Sequence, residues 1–324
     1  MEVTFAGSPD RVEARLVPER GYAFDAFRVS GFPRRPGPKL LSALGLAAAA
    51  PVACLRILAR QQPDVVLGGG GYVGGPMVFA AWLRRIPAAL TEADAHLGLA
   101  NRLAAPFVKR LFLAYPSDGA NGKARVVGRP IPSTSQAVTR EQARRELGLP
   151  LEGPVVLVFG GSQGARTLNE TAVDAWGHSG PAVVHLSGER DYDDLRDRVS
   201  RDDYRLLPFI DDFGSALVAA DVAVSRAGGS VWEVAAAGLP AILVPYPHAT
   251  SNHQLKNAEY FERAGGARIV QDDQAHESVP VLVTELLANP ALLERMGDAM
   301  RAAAKPDAAD KIADELVALA AAHR

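Results

Sequence analysis

The sequence predicts an α/β protein made of two doubly wound, parallel-sheet units, and three observations carry that prediction. Short apolar runs alternate with helical segments along most of the 324 residues, which is the rhythm of βαβ units. Three of those runs end in glycine-rich turns that open helices, at residues 68–71, 160–164 and 228–229. The rhythm stops once, over residues 126–135, where two prolines and three hydroxyl residues make an interdomain linker. A chain this long also exceeds what one core ordinarily serves.

Taken in order, Val3–Phe5 reads as a strand running into a turn at Gly7-Ser8-Pro9-Asp10 and a helix over Arg11–Glu19. No basic segment followed by an apolar core opens the sequence, so its start does not read as a cleavable signal. The most apolar segment, Leu40–Leu58, contains Gly45, Pro51 and Arg56. It falls short of the roughly 20 apolar residues of a spanning helix, and is expected to be buried or to lie on a membrane. Val65–Leu67 is a strand, followed by glycines and a helix from Pro76, a residue suited to a first helical turn. Ala88–Thr91 is the next strand and Leu97–Leu111 the next helix.

Beyond the linker a helix begins with Thr139 and Gln142 in capping-box register. Val155–Phe159, Ala182–Leu186, Tyr204–Leu207, Asp221–Ser225 and Ala241–Val244 are strand candidates, and Val231–Ala237 is a helix. Ala308–Ala322 is an alanine-rich amphipathic helix. The expected domains are residues 1–132, 133–305 and a terminal helix over 306–324 that packs back on the first domain.

Composition narrows the function. Hydrophobic residues at 48% fill two interiors, and 35 Lys plus Arg against 37 Asp plus Glu leave no global field to attract nucleic acid. The single Cys54 excludes an internal disulfide and points to a reducing compartment.

Read literally, Gly69, Gly71 and Gly74 satisfy the G-x-G-x-x-G fingerprint, and Glu92 follows at about the 20-residue distance of a ribose-binding acid. That reading makes the chain an NAD-dependent dehydrogenase. Two further phosphate-type loops in the other half count against it. A buried strand delivers Gly160-Gly161-Ser162-Gln163-Gly164 to a helix start, where free backbone N–H groups and the helix dipole attract an anion. Ser162 adds a hydroxyl and Arg166 a charge, although the same glycines also suit a plain tight turn. Ser225-Arg226-Ala227-Gly228-Gly229-Ser230 repeats the arrangement, with Glu233 placed either for ribose hydroxyls or for the helix dipole. The polar loop Pro245–Gln254 has donors suited to sugar hydroxyls. Asp191-Tyr-Asp193 sits on a charged helix and is expected to be solvated; no metal-binding set or cofactor is assigned.

Gly160-Gly-Ser-Gln-Gly-Ala-Arg-Thr-Leu-Asn169, Phe209-Ile-Asp-Asp212, Ala235-Ala-Ala-Gly-Leu-Pro240 and Asn252-His-Gln-Leu-Lys-Asn-Ala258 closely resemble the MurG family of peptidoglycan glycosyltransferases. Gly69-Gly-Gly-Tyr-Val-Gly-Gly-Pro76, with Glu92 and Asn101, looks like the same family, so the resemblance covers essentially the whole chain. It implies a GT-B fold, two Rossmann-like domains facing a cleft, and inverting transfer of N-acetylglucosamine from UDP-N-acetylglucosamine to lipid I, giving lipid II. By this resemblance Gly161, Ser162, Gln163, Arg226, Gly228 and Gly229 meet the donor, Ile210 contacts uracil through its backbone, Glu233 takes ribose and Gln254 reads the sugar. Gly69, Gly70, Gly71, Tyr72, Glu92 and Asn101 face the acceptor and its pyrophosphate.

The sequence departs from that family in places. It starts at what would be the second strand, so the family's first strand and the glycine-rich loop with the proposed catalytic histidine would precede Met1. The N-terminal domain is accordingly expected to be truncated and the chain to have little transferase activity. Pro132 stands where an arginine is expected, Asp94 where an asparagine is, and the loop before Glu233 is one residue short. His96 and His253 lie in candidate loops, and His96 is the weak stand-in for the base. Arg34, Arg35 and Lys39 before Leu40–Leu58, and Arg102, Lys109 and Arg110 beside Phe107 and Phe112 in a second helical stretch, suggest peripheral attachment to an anionic, cytoplasmic membrane face.

Overall fold

The computed structural model describes residues 2–29, 38–117, 122–132, 138–161 and 164–323. The chain divides into two units, Met1–Val127 with Asp310–Arg324, and Gly128–Ala309.

In the first unit β1 (Thr4–Gly7) and β2 (Ala23–Ala26) pair in parallel across α1 (Glu13–Glu19). β3 (Val66–Gly68), β4 (Ala88–Glu92), β5 (Arg110–Leu113) and β6 (Ala124–Val126) form a parallel sheet in that order. Between them run α2 (Pro38–Gln61), α3 (Gly71–Leu83) and α4 (Leu99–Ala104). Ala50, Cys54 and Leu58 recur at one-turn spacing on α2 and are buried in the core with Val78, Ala80 and Ala81 of α3. That half of the apolar segment is therefore core, not a membrane surface.

Two expectations are corrected here. Helix α3 starts at Gly71, so Pro76 lies inside it. The helix expected over Leu97–Leu111 stops at Ala104, passes through a 3-10 turn at Ala105–Phe107, and gives way to strand β5. Pro106 has no N–H to continue the helical ladder. The apolar run Leu111-Phe112-Leu113 is buried and pairs with β4. Helix α13 (Ala308–Ala321) joins this unit through Ile312, Leu316 and Leu319, which pack on Ala89, Phe112 and Val127. Glu315 accepts from Arg110 Nε at 2.7 Å.

The second unit opens with α5 (Arg140–Glu146), capped by Thr139 Oγ1, which accepts the Gln142 N–H at 3.3 Å. Only this half of the capping box forms, because the Gln142 side chain donates instead to Glu146 at 2.9 Å. β7 (Val155–Phe159), β8 (Ala182–Leu186), β9 (Tyr204–Leu207), β10 (Val222–Ser225), β11 (Ala241–Leu243) and β12 (Ala267–Ile269) form one parallel sheet. Their spatial order is β12-β11-β10-β7-β8-β9. Helices α6 (Arg166–Trp176), α7 (Glu189–Leu195), α8 (Phe213–Ala219), α9 (Val231–Ala236), α10 (His253–Arg263), α11 (Ala275–Leu287) and α12 (Pro290–Ala303) complete the unit. All five residues of β7 are buried, as a doubly covered central strand requires.

Candidate functional site

The strand order of the second unit reverses between β7 and β10, and open α/β sheets bind ligands outside the carboxyl ends of the strands at such a switch point. Both glycine loops lie there. After β7, a side chain at Gly160 would collide with Ala165, and Gly161 and Gly164 have φ of +87° and +69°. A side chain at Gly164 would run into the Ser187 carbonyl at the end of β8. Gly160 and Gly164 are thus packed closely against their neighbours, and the chain continues into the 11-residue helix α6. Ser162 and Gln163 lie outside the described residues.

After β10, Arg226 is buried and committed to structure. Its Nη1 donates to the Val244 carbonyl at 3.1 Å and meets Asp272 Oδ1 at 2.5 Å, while its guanidinium lies 5.6 Å from the Tyr246 ring centre. Asp272 Oδ2 accepts from Thr167 of α6 at 3.2 Å. Arg226 therefore ties together the ends of β10, β11, β12 and the helix that follows the first loop. Gly228 has open space beside it, whereas Gly229 is covered by the guanidinium of Arg129. Glu233 is half-buried in the first turn of α9. Gln254 Oε1 accepts the Tyr246 N–H at 2.9 Å, and His253 Nδ1 lies 2.9 Å from the Thr250 carbonyl. The turn between them holds Ser251 and Asn252 at φ of 54° and 53°, uncommon for non-glycine residues. Ile210 is half-buried and follows the edge strand β9, beside Phe209, which is 62% exposed.

The pair Asp191 and Asp193 separates. Asp193 is exposed, but Asp191 is buried and not solvated as expected: it accepts from Arg190, Arg166 and Asn169. The Arg190 hydrogen bonds, followed by Arg166, push its carboxyl down to about 2. Sequence periodicity places a residue on a helix face but does not reveal that two arginines and an asparagine converge there. Behind Asp191 the chain continues inward. Asn169 donates to Ser187 O at 2.9 Å and to Asp191, so its Oδ1 accepts from His185 Nε2 at 3.0 Å. His185 Nδ1, the remaining ring nitrogen, faces the Tyr204 hydroxyl at 2.8 Å. Burial pushes His185 from its ordinary 6.5 down to about 3.

In the first unit, Gly70 and Gly71 have φ of +87° and +66° at the start of α3. Side chains at Gly69 or Gly71 would meet open space. Tyr72 is half-buried, with Arg11 over its ring at 5.9 Å. Glu92 is occupied internally: its Oε2 accepts from Gly98 N and Asn101 Nδ2, each at 2.9 Å, and its Oε1 from Asp94 N at 3.4 Å. Asn101 is buried and also donates to Thr91 O at 3.0 Å. Together they fix loop 93–98, which carries His96, half-buried and without a hydrogen bond to a described residue. A carboxylate so engaged is not the ribose ligand that a dinucleotide fingerprint requires, and this removes the structural basis of the dehydrogenase reading.

Two parallel-sheet units, one with phosphate-type loops at its switch point, place the protein in the GT-B fold class. The comparisons sharpen that class. Residues 1–113 match the glycosyltransferase family 28 N-terminal domain and residues 155–312 the family 28 C-terminal domain. The chain belongs to this family, and within it to the MurG group. It is 42% identical over 333 residues to the UDP-N-acetylglucosamine–N-acetylmuramyl-(pentapeptide) pyrophosphoryl-undecaprenol N-acetylglucosamine transferase of Serratia proteamaculans, covering 98% of this chain and 90% of that protein. The protein of the same name from Rubrobacter xylanophilus is 39% identical, with 98% and 95% covered. The crystal structure of Acinetobacter baumannii MurG superposes with a TM-score of 0.79 at 27% identity, over 97% of this chain and 90% of that one.

Proposed function

We propose that the chain transfers N-acetylglucosamine from UDP-N-acetylglucosamine to N-acetylmuramyl-(pentapeptide) pyrophosphoryl-undecaprenol, forming lipid II for the bacterial cell wall. The observation that carries this reading is family membership through both halves at 36–42% identity, joined to two glycine loops flanking one switch point. In the transfer, an acceptor hydroxyl oxygen bonds to the anomeric carbon. The bond from that carbon to the β-phosphate oxygen breaks with its electron pair on the phosphate, and a base takes the hydroxyl proton. Backbone donors near the phosphates would stabilise the departing UDP.

In this reading the loops at Gly161 and at Gly228–Gly229 take the diphosphate, with Ser162 and Gln163 between the glycines of the first. Ile210 offers backbone groups to uracil and Glu233 a carboxylate to ribose. Gln254, its Oε1 held by Tyr246 N–H, turns its amide nitrogen to a sugar hydroxyl. Gly69, Gly70, Gly71 and Tyr72 face the acceptor pyrophosphate, while Glu92 and Asn101 set the loop that carries His96. Incubation with labelled UDP-N-acetylglucosamine and a lipid I analogue should yield labelled disaccharide product and free UDP in equal amounts. Binding of the nucleotide sugar without product would mark a nucleotide-sugar-binding protein instead.

A peripheral position on the cytoplasmic membrane face belongs to the same proposal, because a polyprenyl-linked acceptor stays in the bilayer. No described helix is long and apolar enough to cross a membrane. The support is an apolar rim on the first unit. Leu99 and Leu103 are 67% and 65% exposed, one turn apart on α4 and in line with Phe107, whose ring packs at 5.2 Å on both Phe79 and half-exposed Trp82. Arg84, Arg85, Arg102 and Lys109 are exposed on the same elements or just beyond them, each worth about 1 kcal/mol beside anionic lipid. Phe112 and Arg110 drop out of the expected surface, the first buried and the second paired with Glu315. Arg34 and Arg35 lie outside the described residues, as does the Lys39 side chain. Sedimentation with anionic vesicles should weaken with salt and fall about tenfold or more in a Trp82→Ser, Leu99→Ser, Leu103→Ser variant. Unchanged sedimentation of that variant would remove this surface.

A further inference from the structure

Three arginines stand around the two glycine loops of the second unit, and the structure treats them differently. Arg226 is consumed by the Val244 and Pro245 carbonyls and Asp272. Arg166 is tethered to the buried Asp191 at 3.3 Å. Arg129 is half-buried and neither ion-paired nor hydrogen-bonded to any described residue. Two glycines bring it into place. Gly128 has φ +88°, and the space a side chain would need there is filled by the Lys305 stem, whose Cδ would lie 3.2 Å from it. The backbone turned at that point lays the Arg129 guanidinium against Gly229, with Nη2 2.7 Å from where a Cβ would stand.

We propose that Arg129 is the cation that binds the phosphates of the nucleotide at the β10 loop, a role that rests on reading the second unit as the UDP-sugar domain. A guanidinium stays charged at every relevant pH, and its planar fork matches two phosphate oxygens at once. Its uncommitted donors lie over the loop next to the switch point, where only a glycine lets them approach the backbone. The other two arginines hold protein to protein; Arg129 holds ligand.

The test is calorimetric, with UDP and uridine as separate probes at low and moderate salt. Arg129→Met should bind UDP about 10–100-fold more weakly, the worth of a charge-assisted contact. Its uridine affinity should be unchanged and its UDP affinity less salt-dependent. Arg129→Lys should recover part of the loss, since the charge remains but the fork does not. Gly229→Ala, which puts a methyl where the guanidinium rests, should repeat the selective loss of UDP binding. Parental UDP affinity in Arg129→Met overturns the proposal, and equal losses for UDP and uridine assign Arg129 a structural role instead. If the unaltered protein binds uridine but gains nothing from the diphosphate, Arg129 has no phosphate role. If it binds neither, the donor reading itself fails.

Discussion

Gly164→Ala is expected to weaken UDP-N-acetylglucosamine binding about 100-fold while the second unit remains folded. Gly164 sits at φ +69°, where a side chain costs about 1–2 kcal/mol. The added methyl would also collide with the Ser187 carbonyl, a backbone atom that cannot rotate aside. Ser187 is itself pinned, since its N–H bonds to Leu207 O at 3.0 Å at the end of β9. The strain must therefore be taken up by the loop, which moves its backbone donors away from the phosphates. Together these effects amount to roughly 3 kcal/mol or more, an affinity loss of about 100-fold. Gly153→Ala is the matched control: φ is +86° there, nothing lies within 4 Å of the added methyl, and the site is at the far end of β7. It should cost stability and leave binding intact. Parental affinity in Gly164→Ala would separate this loop from the donor.

Acidification is expected to destabilise the second unit well before its carboxylates titrate, and His185 is the reason. The folded protein holds the imidazole neutral down to about 3, whereas the unfolded chain protonates it near 6.5. In that interval the unfolded state binds the extra proton, so stability is full above about pH 6.5 and is lost as pH falls toward 3. The ceiling is roughly 5 kcal/mol at 1.36 kcal/mol per pKa unit. Asp191 adds a second, lower window between 3.8 and about 2, where protonation ends its attraction for Arg190 and Arg166. Denaturant unfolding at pH 7.5, 6, 5 and 4 should show a falling midpoint. His185→Gln, which can still donate to Asn169 and accept from Tyr204, should be less stable at pH 7.5 but show a flatter profile above pH 4. A parallel decline in both proteins would place the acid sensitivity elsewhere.

The sequence by itself determined the parts of this protein that local chemistry dictates. Val155–Phe159 is a strand at the residues its apolar run defines, because a central parallel strand is buried on both faces and must be apolar throughout, and Ala182–Leu186 and Tyr204–Leu207 also begin and end where the sequence places them. The glycine turns that follow β3 and β7 are equally legible, since left-handed backbone selects glycine; after β10, Gly229 is instead required by the Arg129 guanidinium that lies against it. The family follows from those motifs in order.

Only the tertiary structure decided what depends on contacts distant in the chain. Leu111–Leu113 satisfies a helical pattern as well as a strand, and pairing with β4 settles the choice. In the sequence Arg226 looks available to ligand and Asp191 looks solvated. One is buried against Asp272, 46 residues on, and the other against Asn169, 22 residues back. Arg129 lies in a linker of prolines, and its position depends on Lys305 and Gly229, which no local spacing connects to it. Burial and ion pairing are properties of the folded neighbourhood, so the charge a residue carries is written in the sequence while the partner that uses it is chosen by the fold.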